Sequence, residues 1–231
     1  MLSREERVRI HLRSGLQRGS GGQGDDPAAV ENGYSVVAVD DCSTDATWEK
    51  LRGLGVPAIR HPVILGQGAS LQTAMQYALS QGAQHLVHFD ADGQHVPDQI
   101  PRLLAELESG RADVVLGSRF LMPTDCAEVP PARRVVLQLA RWVNFLMCGQ
   151  LLSDAYNGFR ALSRTAAMTF DIRDNRFGHA PEILSQARRH GLRIVEVPVT
   201  IRYTPYARHK GQRLMNAPNI ILDLLAQRLF K

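Results

Sequence analysis

The chain has 231 residues, 44% of them hydrophobic and 22% charged, with a formal net charge of +4. That length suits one domain with a substantial core, and the composition excludes wholesale disorder. No apolar segment reaches bilayer-spanning length and the N-terminus, rich in Arg and Glu, has no signal-peptide core, so a cytoplasmic location is expected.

The three cysteines, Cys42, Cys126 and Cys148, lack C-x-x-C spacing and read as reduced thiols. Basic residues gather in the C-terminal third, at Arg188, Arg189, Arg193, Arg202, Arg208, Lys210 and Arg213. Such a bias suits phosphates or an anionic membrane face, and equally a plain solvated surface. No nucleic-acid partner is expected.

In chain order, residues 1–33 show no sustained period, and Gly, Ser, Arg and Gln dominate from Ser14 to Gly24, so an irregular arm is expected. Tyr34 to Val39 is a β-branched run ending in Asp40-Asp41-Cys42-Ser43-Thr44-Asp45, followed by a helical stretch from Ala46 to Leu54. Val56 to Arg60 reads as a short strand. Leu65-Gly66-Gln67-Gly68-Ala69-Ser70 then opens an amphipathic helix that runs to Leu79. Glycines there would let backbone amides approach a phosphate at the helix start, although the pattern alone is also that of an ordinary turn.

The stretch with the clearest chemistry is Leu86-Val87-His88-Phe89-Asp90-Ala91-Asp92-Gly93-Gln94-His95. A strand ends in two carboxylates spaced two apart, so both leave the strand tip toward one side. Asp90, Asp92 and Gln94 offer hard oxygen ligands that suit Mg²⁺ or Mn²⁺, and such a cation suits the diphosphate of a nucleotide. A solvated acidic turn is the other reading of an isolated D-x-D.

Val96-Pro97-Asp98 opens a helix with one apolar stripe, Ile100, Leu103, Leu104 and Leu107. Asp113 to Arg119 is the next strand, with Arg119 at its exit. A loop over 123–131 precedes a helix from Arg133 to Met147, whose broad apolar face fits the core or a lipid surface. Ser153 to Leu162 is a polar turn entering a short strand, Ala180 to His190 is helical, and Ile194 to Val199 is the last clear strand. A basic loop and a terminal amphipathic helix, Ala217 to Leu229, complete the chain. Strands and helices alternate, with acidic or glycine turns at strand ends, as in an α/β open sheet whose ligands sit at the carboxyl ends of its strands.

Five segments together resemble the family 2 glycosyltransferases of the GT-A fold, in the branch of dolichol-phosphate mannose synthase and bacterial polyprenyl-phosphate glycosyltransferases. They are Val39 to Asp45, Phe89 to His95, Gly117-Ser118-Arg119-Phe120, Asp154 through Ser163, and Glu196-Val197-Pro198-Val199, in the family's order over roughly residues 34–215. The resemblance implies a Rossmann-like open mixed, mostly parallel sheet flanked by helices. It also implies an inverting, metal-dependent transfer of a sugar from a UDP- or GDP-sugar to a polyprenyl phosphate, for cell-envelope polysaccharide or glycolipid, by a protein peripheral to the inner membrane face. Contact with lipid would come through basic or amphipathic segments or a small membrane-protein partner.

Carried over residue by residue, the resemblance places Asp40 and Asp41 at the nucleoside, with Gln67 among the donor contacts. Asp90, Asp92 and Gln94 fall at the Mg²⁺ or Mn²⁺ and diphosphate site, with Asp92 central to catalysis. Arg119, with Arg133 and Arg134, falls at the acceptor phosphate, and Arg202 and Lys210 in a basic loop that closes over the donor. An anionic acceptor needs no strong base; a saccharide hydroxyl would, and Asp154 is then the candidate, its other reading being a turn acid. The family commonly has glycine where this chain has Cys42, and serine where it has Arg213.

One departure is larger. The family's first strand ends in a Pro-Ala-Tyr-Asn-Glu-Glu type motif, which this chain lacks. Ser14-Gly15-Leu16-Gln17-Arg18-Gly19-Ser20 can be encoded by codons that, read one base later, spell Pro-Ala-Tyr-Asn-Glu-Glu. The segment from about Val8 to Val30 is therefore read as a frameshifted version of the missing strand and helix, with the family frame restored near Asn32. The expected organisation is an irregular arm over 1–33, a GT-A domain over 34–215 and a terminal helix over 216–231. Two alternatives stay open: a glycosyltransferase with a saccharide acceptor, and a catalytically impaired binding or regulatory homologue lacking part of the donor pocket.

Overall fold

The computed structural model describes residues 34–90, 93–121, 145, 151–175 and 178–202, together with the backbone of 8–14. Among these residues the strands are β1 (Val8–Ser14), β2 (Ser35–Asp40), β3 (Ala58–Arg60), β4 (His85–Asp90), β5 (Val114–Ser118), β6 (Arg160–Ser163) and β7 (Ile194–Pro198). The helices are α1 (Thr47–Gly53), α2 (Gln67–Ser80), α3 (Ile100–Glu108), α4 (Arg164–Thr169) and α5 (His179–Arg189). The predicted helix 133–147, apart from residue 145, which is helical, the predicted helix 217–229 and the basic loop beyond Arg202 lie outside the described residues.

The strands form one sheet in the order β3-β2-β1-β4-β6-β5-β7. β2 and β3 are parallel, as are β5 and β7, whereas β1 runs antiparallel to both β2 and β4, and β6 antiparallel to both β4 and β5. Five strands therefore share one direction and two oppose it, a mixed, mostly parallel sheet. Both faces are covered. On one, α1 and α3 pack Leu51, Ile100, Leu103, Leu104 and Leu107 against Val36, Ala38, Val87, Val115 and Ala161. On the other, α2, α4 and α5 pack Leu71, Met75, Ala166, Ile183 and Leu184 against Leu86, Val114, Leu116 and Leu162. The α3 stripe read from the sequence is the buried one, and each of its four aliphatic side chains contributes roughly 1.5–3 kcal/mol by leaving water.

The expectation of an irregular arm across 1–33 is corrected at Val8–Ser14. These residues occupy the middle of the sheet, with Val8 to Arg13 opposite Asp40 to Ser35 and Arg9 to Ser14 opposite Asp90 to His85. The physical reason is the gap: without this segment, the facing edges of β2 and β4 would carry unpaired backbone groups in the interior. Val8-Arg9-Ile10-His11-Leu12 has the apolar–polar alternation of a strand, too short a pattern to stand out in a polar context. The short α4 was also not anticipated; its signal is Ser163, whose hydroxyl caps it by accepting from the Ala166 N–H at 3.2 Å.

A chain shortened to begin at Asn32 tests the strand. Removal of β1 is expected to abolish soluble monomer or lower the urea unfolding midpoint sharply, whereas an irregular arm would leave that midpoint unchanged.

Candidate active site

Among the described residues, several of those singled out in the sequence lie along one edge of the sheet. Asp40 and Asp41 end β2, Asp90 ends β4, Arg119 follows β5, and the 153–159 turn leads into the antiparallel β6 from the same side.

Both acids after β2 are fully buried and engaged by the protein. Asp40 Oδ1 accepts the Ser43 N–H at 3.1 Å, and Oδ2 faces Arg60 Nε at 3.2 Å in an ion pair off the line of a hydrogen bond. Arg60 also donates to the Ser43 carbonyl at 2.9 Å and lies over the Trp48 ring. Asp41 accepts the N–H groups of Leu65 at 2.9 Å and Gly66 at 2.7 Å, and its Oδ1 lies 2.8 Å from His61 Nδ1. The His61 Nε2 is in turn 2.9 Å from the Thr73 hydroxyl on α2. Asp41 thus ties the end of β2 to the loop that starts α2.

In that loop the close packing has a structural cause. Gly66 and Gly68 read as a possible phosphate cradle, yet a Cβ on either would stand 1.9 Å from a carbonyl oxygen, that of Asn175 or Asp174 respectively. The glycines allow the 174–175 backbone to lie against the start of α2; Gly66 also has φ of 105°. Gln67, half-buried, is the first residue of that helix.

At the end of β4, the Asp90 N–H donates to His95 Nδ1 at 3.1 Å, which fixes the imidazole proton on Nε2. The His95 ring stacks on Phe159 at 4.9 Å and meets Phe89 edge-on at 5.3 Å. Gly158 completes the platform, since a Cβ there would come within 2.7 Å of Asp90 Oδ2. Half-buried Gln94 accepts the N–H of exposed Arg202 through its carbonyl at 2.9 Å, so the start of the basic loop is tied to the acidic turn. Asp92, Arg133, Arg134 and Lys210 lie outside the described residues. Among those described, no cluster of three or more acidic, His or Cys side chains forms a ready-made cation cage. The donor set fits a hard cation that takes its remaining ligands from phosphate and water.

Arg119 is buried beside Asp154. Its Nε donates to Asp154 Oδ2 at 2.6 Å and its backbone N–H to the same oxygen at 3.2 Å. Asn157 Nδ2 adds a contact at 3.4 Å. Glu196 on β7 holds the turn from behind by accepting from Ser153 and Asp154. Arg160, fully buried, donates from Nη2 to the Asn157 carbonyl at 3.1 Å, and burial pulls its pKa down to about 10, so it stays charged at neutral pH. Sequence reasoning missed Arg60, His61, His95 and Glu196 as builders of the site. Glu196 lay within a motif, but no local pattern shows which distant turn it braces.

In an open α/β sheet ligands bind outside the carboxyl ends of the strands, the edge along which these acids and the buried arginine lie. The comparisons narrow the class. The family model described as Glycosyl transferase family 2 matches residues 29–171, and the chain belongs to that family and is a glycosyltransferase. It is 29% identical over 216 residues to the UDP-N-acetylglucosamine–dolichyl-phosphate N-acetylglucosaminyltransferase of Methanococcus voltae, covering 85% of this chain and 86% of that protein. It is 32% identical over 173 residues to the undecaprenyl-phosphate mannosyltransferase of Micrococcus luteus, covering 71% and 70%. In structure it is similar to glucosyl-3-phosphoglycerate synthase from Mycobacterium tuberculosis in complex with Mn²⁺, UDP and glucosyl-3-phosphoglycerate. There the TM-score is 0.59 at 19% identity, over 83% of this chain and 67% of that one. The fold is GT-A.

Cys42 is the one non-glycine residue with positive φ, 60°, among those described, and it sits between the two acids and the Ser43 turn. The left-handed conformation costs an L-residue roughly 1–2 kcal/mol. Cys42→Gly is expected to raise stability by about 0.5–1 kcal/mol in urea unfolding, and Cys42→Val to lower it by more than about 1 kcal/mol.

Proposed function

We propose that this protein transfers a sugar, with inversion, from a nucleotide-sugar to a polyprenyl phosphate. The observation that carries the choice of acceptor is the Arg119–Asp154 pair. A hydroxyl acceptor needs a base, and Asp154 is the acid placed for it, but its Oδ2 is held by Arg119 and its side chain is 1% exposed. A phosphate acceptor is already anionic and needs no base, only a cation to hold it, which is what a buried, oriented arginine supplies. The names of relatives that act on dolichyl and undecaprenyl phosphates support the same acceptor.

In this reading an oxygen of the lipid phosphate forms the new bond to the anomeric carbon while the bond to the nucleoside diphosphate breaks on the opposite side. The electron pair leaves with the diphosphate, and no proton moves. Mg²⁺ or Mn²⁺ bound at Asp90, Asp92 and Gln94 would offset charge on that leaving group, in keeping with the Mn²⁺ and UDP of the structural neighbour. Arg202 and Lys210 clamp the donor, and Arg133 and Arg134 join Arg119 at the acceptor. Asp41 shapes the donor pocket through the Leu65–Gly66 loop, and Asp40, buried against Arg60 and the Ser43 N–H, holds the end of β2 beside it. The lipid acceptor brings the protein to the inner membrane face; among the described residues no helix is long and apolar enough to cross a membrane.

A second reading has its own observation. β1 runs against its neighbours, so its exit faces away from the edge that carries Asp40 and Asp90, and no strand exit from that position lines the donor pocket. A chain with this strand altered by a frameshift would keep the sheet and lose donor affinity.

Titration calorimetry with UDP and GDP, each with and without Mn²⁺, separates the two. Metal-dependent binding of either nucleotide, followed by transfer from its sugar conjugate to undecaprenyl phosphate but not to a saccharide, is the expected result. A folded chain that binds neither supports the impaired homologue, and transfer to a saccharide overturns the acceptor assignment. In the binding-competent case, Gly158→Ala should weaken Mn²⁺-dependent nucleotide binding about tenfold or more, because the new methyl group displaces Asp90. Metal-free binding should change little.

A further inference from the structure

We propose that Glu196 is the positioning residue for the acceptor-phosphate arginine, acting through the Ser153–Asp154 turn; the inference rests on the assignment of Arg119 to the acceptor phosphate. Glu196 lies on β7 opposite Leu116 of β5, on the face that α5 covers, and is itself half-buried. Its carboxylate gathers donors from one short turn. Ser153 N–H donates to Oε1 at 2.9 Å and Oε2 at 2.8 Å, Ser153 Oγ donates to Oε1 at 2.9 Å, and Asp154 N–H donates to Oε1 at 2.9 Å. A carboxylate that accepts several N–H and O–H groups fixes the backbone carrying them, and such charge-assisted bonds are about twice as strong as neutral ones.

Two routes run from this anchor to the end of β5. In one, Asp154 Oδ2 receives Arg119 Nε at 2.6 Å and the Arg119 N–H at 3.2 Å, fixing both the side chain and its backbone. In the other, Ser153 Oγ meets Ser118 Oγ at 2.6 Å, and Ser118 Oγ accepts the Phe120 N–H at 3.1 Å. Ser118, Arg119 and Phe120 are thereby held as a unit by a turn that Glu196 grips from a different strand. Removing the grip frees the turn to shift, and a shift of about 1 Å at a substrate-orienting group costs up to a hundredfold in rate.

The test compares Glu196→Ala, Glu196→Asp and Glu196→Gln with Arg119→Ala and with the Arg119→Ala/Glu196→Ala double variant. The readouts are KM for undecaprenyl phosphate, calorimetric affinity for the nucleotide with Mn²⁺, and the urea midpoint. Glu196→Ala and the shortened Glu196→Asp are expected to raise the acceptor KM about tenfold with nucleotide affinity unchanged. Glu196→Gln keeps the Oε1 acceptor for three of the four contacts and should restore KM to within about threefold of the parent. The double variant should be no worse than Arg119→Ala alone, since Glu196 acts through that side chain.

Glu196→Asp at parental acceptor KM, or additive losses in the double variant, would overturn the inference while leaving Arg119 at the phosphate. An Arg119→Ala variant with unchanged acceptor KM would instead remove the functional assignment beneath it, and the inference with it.

Discussion

Everything at the functional edge depends on the ladder that β1 makes with both its neighbours. β3 and β2 form one half of the sheet and β4, β6, β5 and β7 the other, and the backbone of Val8–Ser14 bridges them. Six residue pairs on each side set how far Asp40 stands from Asp90, because Val8 and Arg9 lie opposite those two acids. The α2 helix, packed over Val37, Val39 and Leu86, reinforces the bridge from one face. A mixed sheet tolerates a reversed strand at this point because antiparallel ladders satisfy the same backbone groups. What reversal changes is which end of the strand reaches the ligand edge.

That explains the balance between what the sequence disclosed and what it hid. Most of the alternation from Ser35 to Pro198 was legible because the strands are short and largely apolar, β2 and β4 end in an acid, and the longer helices carry one apolar stripe. The motifs at Asp40, Asp90 and Arg119 were legible for the same reason: strand ends in open sheets place their polar residues at the ligand edge. β1 was not, since five alternating residues in an Arg- and Gly-rich context give no period strong enough to outweigh composition. The family match begins at residue 29, close to Asn32 where the sequence reading restores the family frame. The strand ahead of that point is supported by backbone pairing with β2 and β4, which any suitable alternation can provide.

The glycines of the α2 loop show a different limit. Gly66 and Gly68 are required by close approach, as a glycine-rich turn suggests, but the approaching groups are the carbonyls of Asn175 and Asp174, about a hundred residues away. A sequence shows that a backbone must come near something; only the fold says what. The same holds for Asp41, whose carboxylate, placed by the resemblance at the nucleoside, accepts two loop N–H groups and lies against His61, partners that no local pattern reveals.

The 153–157 turn draws these strands of argument together. Glu196 holds its start, Arg160 holds the Asn157 carbonyl at its end, and Asp154 between them binds Arg119. Arg160 is fully buried, and among the described residues its Nε and Nη1 donate to no partner, a costly placement that a packed aliphatic residue would avoid. It places a positive charge beneath the 153–157 turn, whose Asn157 carbonyl it holds. Burial that lowers its pKa to about 10 still leaves that charge in place throughout the neutral range. The edge thus pairs a buried acid with an arginine at two places, Asp40 with Arg60 and Asp154 with Arg119. Those pairings fix the positions of Arg60 and Arg119 within the protein itself, so that neither side chain has to be ordered by a ligand.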